Sequence, residues 1–222
     1  MKKYLIALLA LLSLSIYAQE ETGGKTYVQF DVASAITPPH RISIGISHQL
    51  NERFFIGIEG GKSFSGTWGR LNDKAENYKL HQYRMEVGYI LNTKKKYVSP
   101  YLSVDFMGLN HKETLFDGYY YVNKNDINEQ RFSYDKIDYH RKKHTFNFNY
   151  GMKIFFSKSK KVGIDPKIGL GIKNVDVAFS KAKNLQEVEK KRDPFGFTDR
   201  YTRFGKETSL NVNIQLRFFY VF

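Results

Sequence analysis

Two stretches of this chain alternate apolar and polar residues with a strict period of two. Leu210, Val212, Ile214, Leu216, Phe218, Tyr220 and Phe222 hold one parity, and Ser209, Asn211, Asn213, Gln215 and Arg217 hold the other. In 145–156, Phe146, Phe148, Tyr150, Met152, Ile154 and Phe156 oppose Thr145, Asn147, Asn149, Gly151 and Lys153. Successive side chains of a strand point to opposite faces, so each stretch is an extended segment with one apolar face and one polar face. Wound as a helix, the same residues would spread their apolar groups around the whole circumference and leave no face to bury.

Six further segments follow the pattern: 27–36, 41–50, 54–64, 79–91, 98–112 and 162–179. With 145–156 and 210–222 they make eight strands. The intervening connections are 37–40, 51–53, 65–78, 92–97, 113–143, 157–161 and 180–205. The second, fourth and sixth are short. The third, fifth and seventh are long and rich in charge and tyrosine. Alternating short turns and long loops characterise an antiparallel up-and-down barrel. Only 37–40 is shorter than that rule expects. No internal repeat or linker divides the chain, so 27–222 reads as one all-β domain, an eight-stranded antiparallel up-and-down barrel.

Alternation is shared by soluble barrels, which turn the apolar face inward. Here the polar parity is crowded with Gly and small polar residues and carries both signs of charge. Asp31, Glu59, Glu86, Asp105 and Asp165 stand against Arg84, Lys153, Lys167 and Arg217. Such a set can fill a narrow lumen as a paired charge network, whereas a soluble exterior favours long Lys and Glu side chains throughout. Aromatics gather near strand ends: Phe54, Tyr89, Tyr97, Phe156, Tyr220 and Phe222 by the short turns, and Phe64, Trp68, Tyr78, Phe146 and Phe179 towards the long loops. Paired aromatic girdles mark the two interfaces of a membrane. The expected fold is therefore a transmembrane β-barrel. In 162–179 the apolar parity slips after Lys173 to Val175, Val177 and Phe179, which reads as a β-bulge or as emergence from the membrane. Pro100 and Pro166 fall inside strands, near short turns, where a missing backbone donor is best tolerated.

The first eighteen residues read as a secretory signal peptide. Lys2 and Lys3 precede an apolar run over 4–12, and Ile16-Tyr17-Ala18 ahead of Gln19 supplies a cleavage site after Ala18. Residues 19–26 then form a short periplasmic leader. The absence of cysteine excludes a lipoprotein anchor and disulfides. The chain carries a formal charge of +13, two of it from Lys2 and Lys3. On an exported protein this excess points to outer-membrane lipids and lipopolysaccharide phosphates as partners before nucleic acid, or simply keeps the loops solvated.

The ending Leu210-Asn-Val-Asn-Ile-Gln-Leu-Arg-Phe-Phe-Tyr-Val-Phe222 resembles the C-terminal assembly signal of outer-membrane barrels, with Phe218, Tyr220 and Phe222 at its alternate positions. The run Val162-Gly-Ile-Asp-Pro-Lys-Ile-Gly-Leu-Gly-Ile172 resembles the penultimate strand of small barrels of Bacteroidota. As a pattern, the mature chain is similar to small outer-membrane proteins of the OmpX/OmpA-like eight-stranded superfamily. That resemblance implies insertion by the barrel-assembly machinery and a location in a Gram-negative outer membrane, with no single activity attached.

Among candidate sites, Ser47-His48 is an adjacent pair on a strand, but its parity sends Ser47 to the lumen and His48 to the lipid. His140 and His144 flank Arg141, Lys142 and Lys143, whose charge repels a metal, so the cluster reads as a basic loop or a phosphate contact. Tyr119, Tyr120 and Tyr121, with Phe116, Tyr134 and Tyr139, read as aromatics that pack a long loop. Segment 181–192 reads as a solvated loop. No cofactor, metal or catalytic set is expected. The leading expectation is a monomeric, non-enzymatic barrel with a structural or surface-interaction role. A lipid-modifying barrel enzyme and a soluble periplasmic lipid-binding barrel are the alternatives.

Overall fold

The computed structural model describes residues 24–36, 40–63, 76–92, 96–122, 129–189 and 203–222. The signal peptide 1–18, most of the connection 65–78, and Phe64 and Trp68 lie outside the described residues.

The elements are β1 (Thr26–Asp31), α1 (Val32–Ile36), β2 (Ile42–Gln49), β3 (Phe54–Lys62), β4 (Glu76–Ile90), β5 (Val98–Val122), β6 (Gln130–Phe155), β7 (Val162–Lys183), β8 (Gln186–Val188) and β9 (Gly205–Val221). Strands β1 to β7 pair with their sequence neighbours, all antiparallel. Strand β9 pairs with both β7 and β1, which closes an eight-stranded barrel as the alternation implied. Among the described residues the short β8 pairs on the outer part of β6. Following one register line from Phe30 through Ile44, Gly60, Tyr83, Gly108, His144 and Asn174 leads to Thr208. Phe30 itself pairs with Phe218, ten residues further along β9. That stagger is the shear a narrow barrel of tilted strands requires.

The turns have local causes. In β2–β3 the Asn51 Oδ1 accepts from the backbone N–H of Arg53 and of Phe54, both at 2.8 Å, a side-chain turn that lets the chain reverse within three residues. Pro166 lies on an outward position of β7. The pairing with β6 lapses beside it, between Gly151↔Lys167 and Ile154↔Ile164, and resumes in the same register. Its missing donor thus costs a ladder bond without displacing the strand.

The apolar parity faces outward. Leu210 is 83 % exposed and its neighbour Asn211 only 7 %. Phe106, Phe146 and Ile172, on one register line with Leu210, are exposed too. Two steps towards the long loops the outward residues on that line become His81, Asn110, Lys142, Asp176 and Lys206.

Four expectations need correction. The first strand does not run to residue 36: it ends at Asp31, whose Oδ1 accepts from the N–H of Ser34 and caps α1. The connection to β2 therefore spans 32–41, which removes the anomaly of a short first loop. Within 113–143, residues 113–122 and 130–143 are not loop. They continue β5 and β6 as a paired hairpin out to Val122↔Gln130. Third, of the two readings of the parity slip after Lys173, the bulge does not hold at Val175 and Val177, since the register with β6 and β9 is continuous through Val177 and shifts against β6 only beyond Ser180. Val175, Val177 and Phe179 stay on the inward face, and it is the lining that changes: Leu115, Tyr134, Ile137, Tyr139 and Val177 make a buried apolar cluster there. Finally, Tyr78 and Phe179 are not girdle residues. Both pack inward, Tyr78 on Leu80, Met107 and Leu109, and Phe179 on the hairpin cluster.

Candidate functional site in the barrel interior

The inward parity brings charges of both signs to the middle of the barrel. Asp31, Glu59, Arg84, Glu86, Asp105, Lys153, Asp165, Lys167 and Arg217 are all buried. Glu86 on β4 is the hub. Its Oε2 accepts from both Nη1 and Nη2 of Arg217 at 2.8 Å, and its Oε1 accepts from Lys167 Nζ at 2.9 Å and from Ser103 Oγ at 2.7 Å. Both charged partners lie across the lumen, on β9 and β7. Charge-assisted bonds of this kind are roughly twice as strong as neutral ones, and here two from one guanidinium converge on a single oxygen.

The other acids are held in the same way. Asp105 accepts from the side-chain amides of Asn147 and Asn149, each at 2.8 Å, and lies 3.3 Å from Lys167. Asp165 accepts from the Tyr101 hydroxyl at 2.7 Å and lies 3.7 Å from Arg217. Glu59 accepts from Gln82 at 2.8 Å and stands 3.6 Å from Arg217 and 4.0 Å from Arg84. Asp31 accepts from Gln215 at 3.3 Å in addition to capping α1. These bonds tie β1, β3, β4, β5, β6, β7 and β9 together across the lumen, and a buried charge is tolerable only when paired and hydrogen-bonded in this way.

Lys153 is held differently. Its Nζ sits 4.0 Å from the ring centre of Phe55, 4.5 Å from Tyr101 and 5.0 Å from Tyr27. The rings can lie flat there because Phe55 and Tyr101 pair across strands with Gly88 and Gly151. A Cβ at either glycine would meet the facing ring at 2.2 or 2.3 Å. The π-faces replace part of the hydration an ammonium loses on burial. This cage depends on register, so the chain gives no local signal of it.

Cavities lie on either side of the network. One of about 400 Å³ opens at the short-turn end, beside Tyr27, Gln49, Ser99 and Phe155. One of about 240 Å³ lies towards the long loops and reaches Asp31, Arg84 and Gln215. The bonded side chains of Glu86, Arg217, Lys167 and Asp165 lie across the lumen between them.

The three C-terminal aromatics point outward, and Tyr220 meets Phe222 edge to face at 5.0 Å. The backbone N–H of Phe222 donates to Thr26 O at 3.0 Å, next to the last β1–β9 pair. Ser47 faces the interior and accepts from Gln29 at 3.1 Å, while His48 shares a hydrogen with Thr26 on the other face. They do not form a nucleophile–base pair. His140 and His144 share an outward face, His140 bonded to Asn110 at 2.8 Å and His144 stacked on Phe106. Tyr120 stacks on Phe179 at 4.5 Å, and Arg131 covers Tyr119 at 4.0 Å, so these tyrosines pack the extended hairpin.

Neither a family model nor a curated protein matches this sequence. Solved structures align with this chain at low identity. The N-terminal β-barrel domain of OprF from Pseudomonas aeruginosa aligns with 90 % of this chain and 98 % of its own at 10 % identity, with a TM-score of 0.40. CarO of Acinetobacter baumannii aligns over 89 % and 97 % at 7 % identity, with a TM-score of 0.45. A major outer membrane protein from Thermus thermophilus aligns over 90 % and 99 % at 10 % identity, with a TM-score of 0.40.

Proposed function

We propose that this chain is an exported outer-membrane protein that crosses the bilayer as a closed, plugged barrel. On this reading it serves envelope integrity or surface contact through its long-loop end and is not an enzyme. One observation carries this reading: the barrel is inside out relative to a soluble one. Its outward face is apolar along the middle of every strand, and its interior is a bonded set of carboxylates, amides and cations. In water that arrangement would expose the apolar band and bury charge. In lipid the same arrangement puts the apolar band against hydrocarbon and keeps the charges out of it. The inversion beyond Lys173, with apolar residues inside and His81, Lys142 and Lys206 outside, is what a barrel standing proud of the bilayer requires. The paired interior favours a mechanical role over chemistry, since Glu86 already accepts from three side chains. The test is fractionation of cells expressing the full chain, with mass spectrometry of the membrane-borne product. Recovery in the outer membrane, starting near Gln19, is expected. A soluble periplasmic product, or an intact Met1 on the membrane form, contradicts the reading.

A further inference from the structure

Strand β1 is too short to cover the whole edge of β9. Among the described residues it pairs from Tyr27↔Val221 to Asp31↔Arg217, while β9 continues along β7 to Gly205. Beyond Asp31 the chain turns into α1, which packs against β9. The cavity of about 240 Å³ lies at this seam. Its lining includes inward Asn211, Asn213 and Gln215 together with outward Val212 and Ile214, so it follows the strand edge from the lumen to the outer surface. Four cations line it: Arg41, Arg84, Arg141 and Lys143. The one carboxylate among them, Asp31, accepts from Ser34 and Gln215 and also attracts Arg41. Arg84 is 4 % exposed, and its Nε and Nη1 have no hydrogen-bond partner, with Glu59 and Asp105 at 4.0 and 3.9 Å. A buried guanidinium with open donors at the wall of a cationic cavity is built to receive an acceptor of negative charge.

We propose that this seam cavity binds a phosphate-type oxyanion through Arg41, Arg84, Arg141 and Lys143. Two sources carry that group: a free phosphate entering from the long-loop end, or a lipid whose phosphate enters through the seam while its chains stay against Val212 and Ile214. The cationic cavity stands on its own geometry. Only the lipid source rests on the membrane reading above, which fractionation tests separately.

The experiment titrates purified full-length barrel in non-ionic detergent, at low and then physiological salt. The probes are inorganic phosphate, a short-chain phosphatidic acid, and the diacylglycerol with the same chains. Arg41→Gln, Lys143→Gln and the double variant are compared, each first shown to be folded by heat-modifiable gel mobility. Lys143, half-buried on the inward face of β6, is the second variant that keeps the test open if Arg41→Gln fails to fold. Phosphatidic acid should bind more tightly than diacylglycerol. Each substitution should weaken it on the order of tenfold, the scale of one charged hydrogen bond, and salt should weaken it further. Binding of inorganic phosphate as well supports a free anion as source; binding of phosphatidic acid without it supports the lipid. Equal affinity for diacylglycerol, no binding of either phosphate probe, or affinities unchanged in the folded variants would overturn the proposal.

Discussion

Glu86 is the residue on which the interior depends most. Replacing it with Ala leaves Arg217 and Lys167 buried without their shortest partner. Breaking one side of a buried ion pair costs about 3–5 kcal/mol, so Glu86→Ala should lower the urea midpoint of the refolded barrel sharply. Lys153→Met is the informative contrast. It removes a charge held by three rings, not by a close carboxylate, and swaps in a side chain that suits the cage. Its loss should stay below about 2 kcal/mol, the scale of a desolvated cation–π contact. Equal losses for the two would mean that the rings do not substitute for a counter-ion. Tyr134, in the hairpin cluster, gives a test by pH. Burial, and secondarily the Glu113 carboxylate, push its phenol up to about 12 from 10.0. The folded state therefore keeps a proton that the unfolded chain releases. Its contribution to stability is full below pH 10 and is lost as pH rises towards 12. The difference in tyrosinate absorbance between the native chain and Tyr134→Phe should appear near pH 12; an appearance near 10 would place that ring in water.

Among the elements, β9 decides closure. It contributes Arg217 to the Glu86 hub, pairs on both edges, and ends where Phe222 N–H meets Thr26 O. Deleting Phe222 should reduce the heat-modifiable, folded fraction well below that of Lys181→Glu, which changes an exposed residue paired with half-exposed Asp138. Normal folding of the deletion beside misassembly of Lys181→Glu would show that the end of β9 is dispensable. Strict alternation made β9 and the 145–156 part of β6 legible in the sequence, because a register error there would turn every apolar residue inward. Residues 113–143 were not legible. Their charges and aromatics do not alternate by polarity, and Tyr119, Tyr120 and Tyr121 read as loop although they lie on a paired strand. Pairing with a partner already in register, and the cluster around Ile137 and Tyr139, hold that hairpin in β form, as tertiary packing often does against a weak local pattern. The helix α1 hid for the opposite reason: Val28, Phe30 and Val32 continue the alternation past Asp31, and only the cap turns the chain. Nine of the interior charges could be named from parity, whereas buried Glu113 and Arg141, the partners of all of them, the Lys153 cage and the seam cavity depend on which strands face each other across the lumen.

At the scale of the whole molecule, an apolar exterior around an interior crossed by bonded side chains is expected to act as a plug. Purified barrel in planar bilayers should show no large, stable single-channel conductance, because the Glu86–Arg217–Lys167 contacts occupy the lumen between the two end cavities; steady large openings would mean that the network parts. The central claim, that this face of the barrel lies in lipid, is tested most directly by spin-label accessibility along β9 in liposomes. The chain has no cysteine, so single labels are unambiguous. Labels at Val212, Ile214, Leu216 and Phe218 should be relaxed by oxygen and shielded from a water-soluble nickel complex, those at Asn211, Asn213 and Gln215 should be reached poorly by either, and one at Lys206 should be open to the nickel complex. Nickel access at Val212, Ile214, Leu216 and Phe218 equal to that at Lys206 would contradict it and place the apolar face in water.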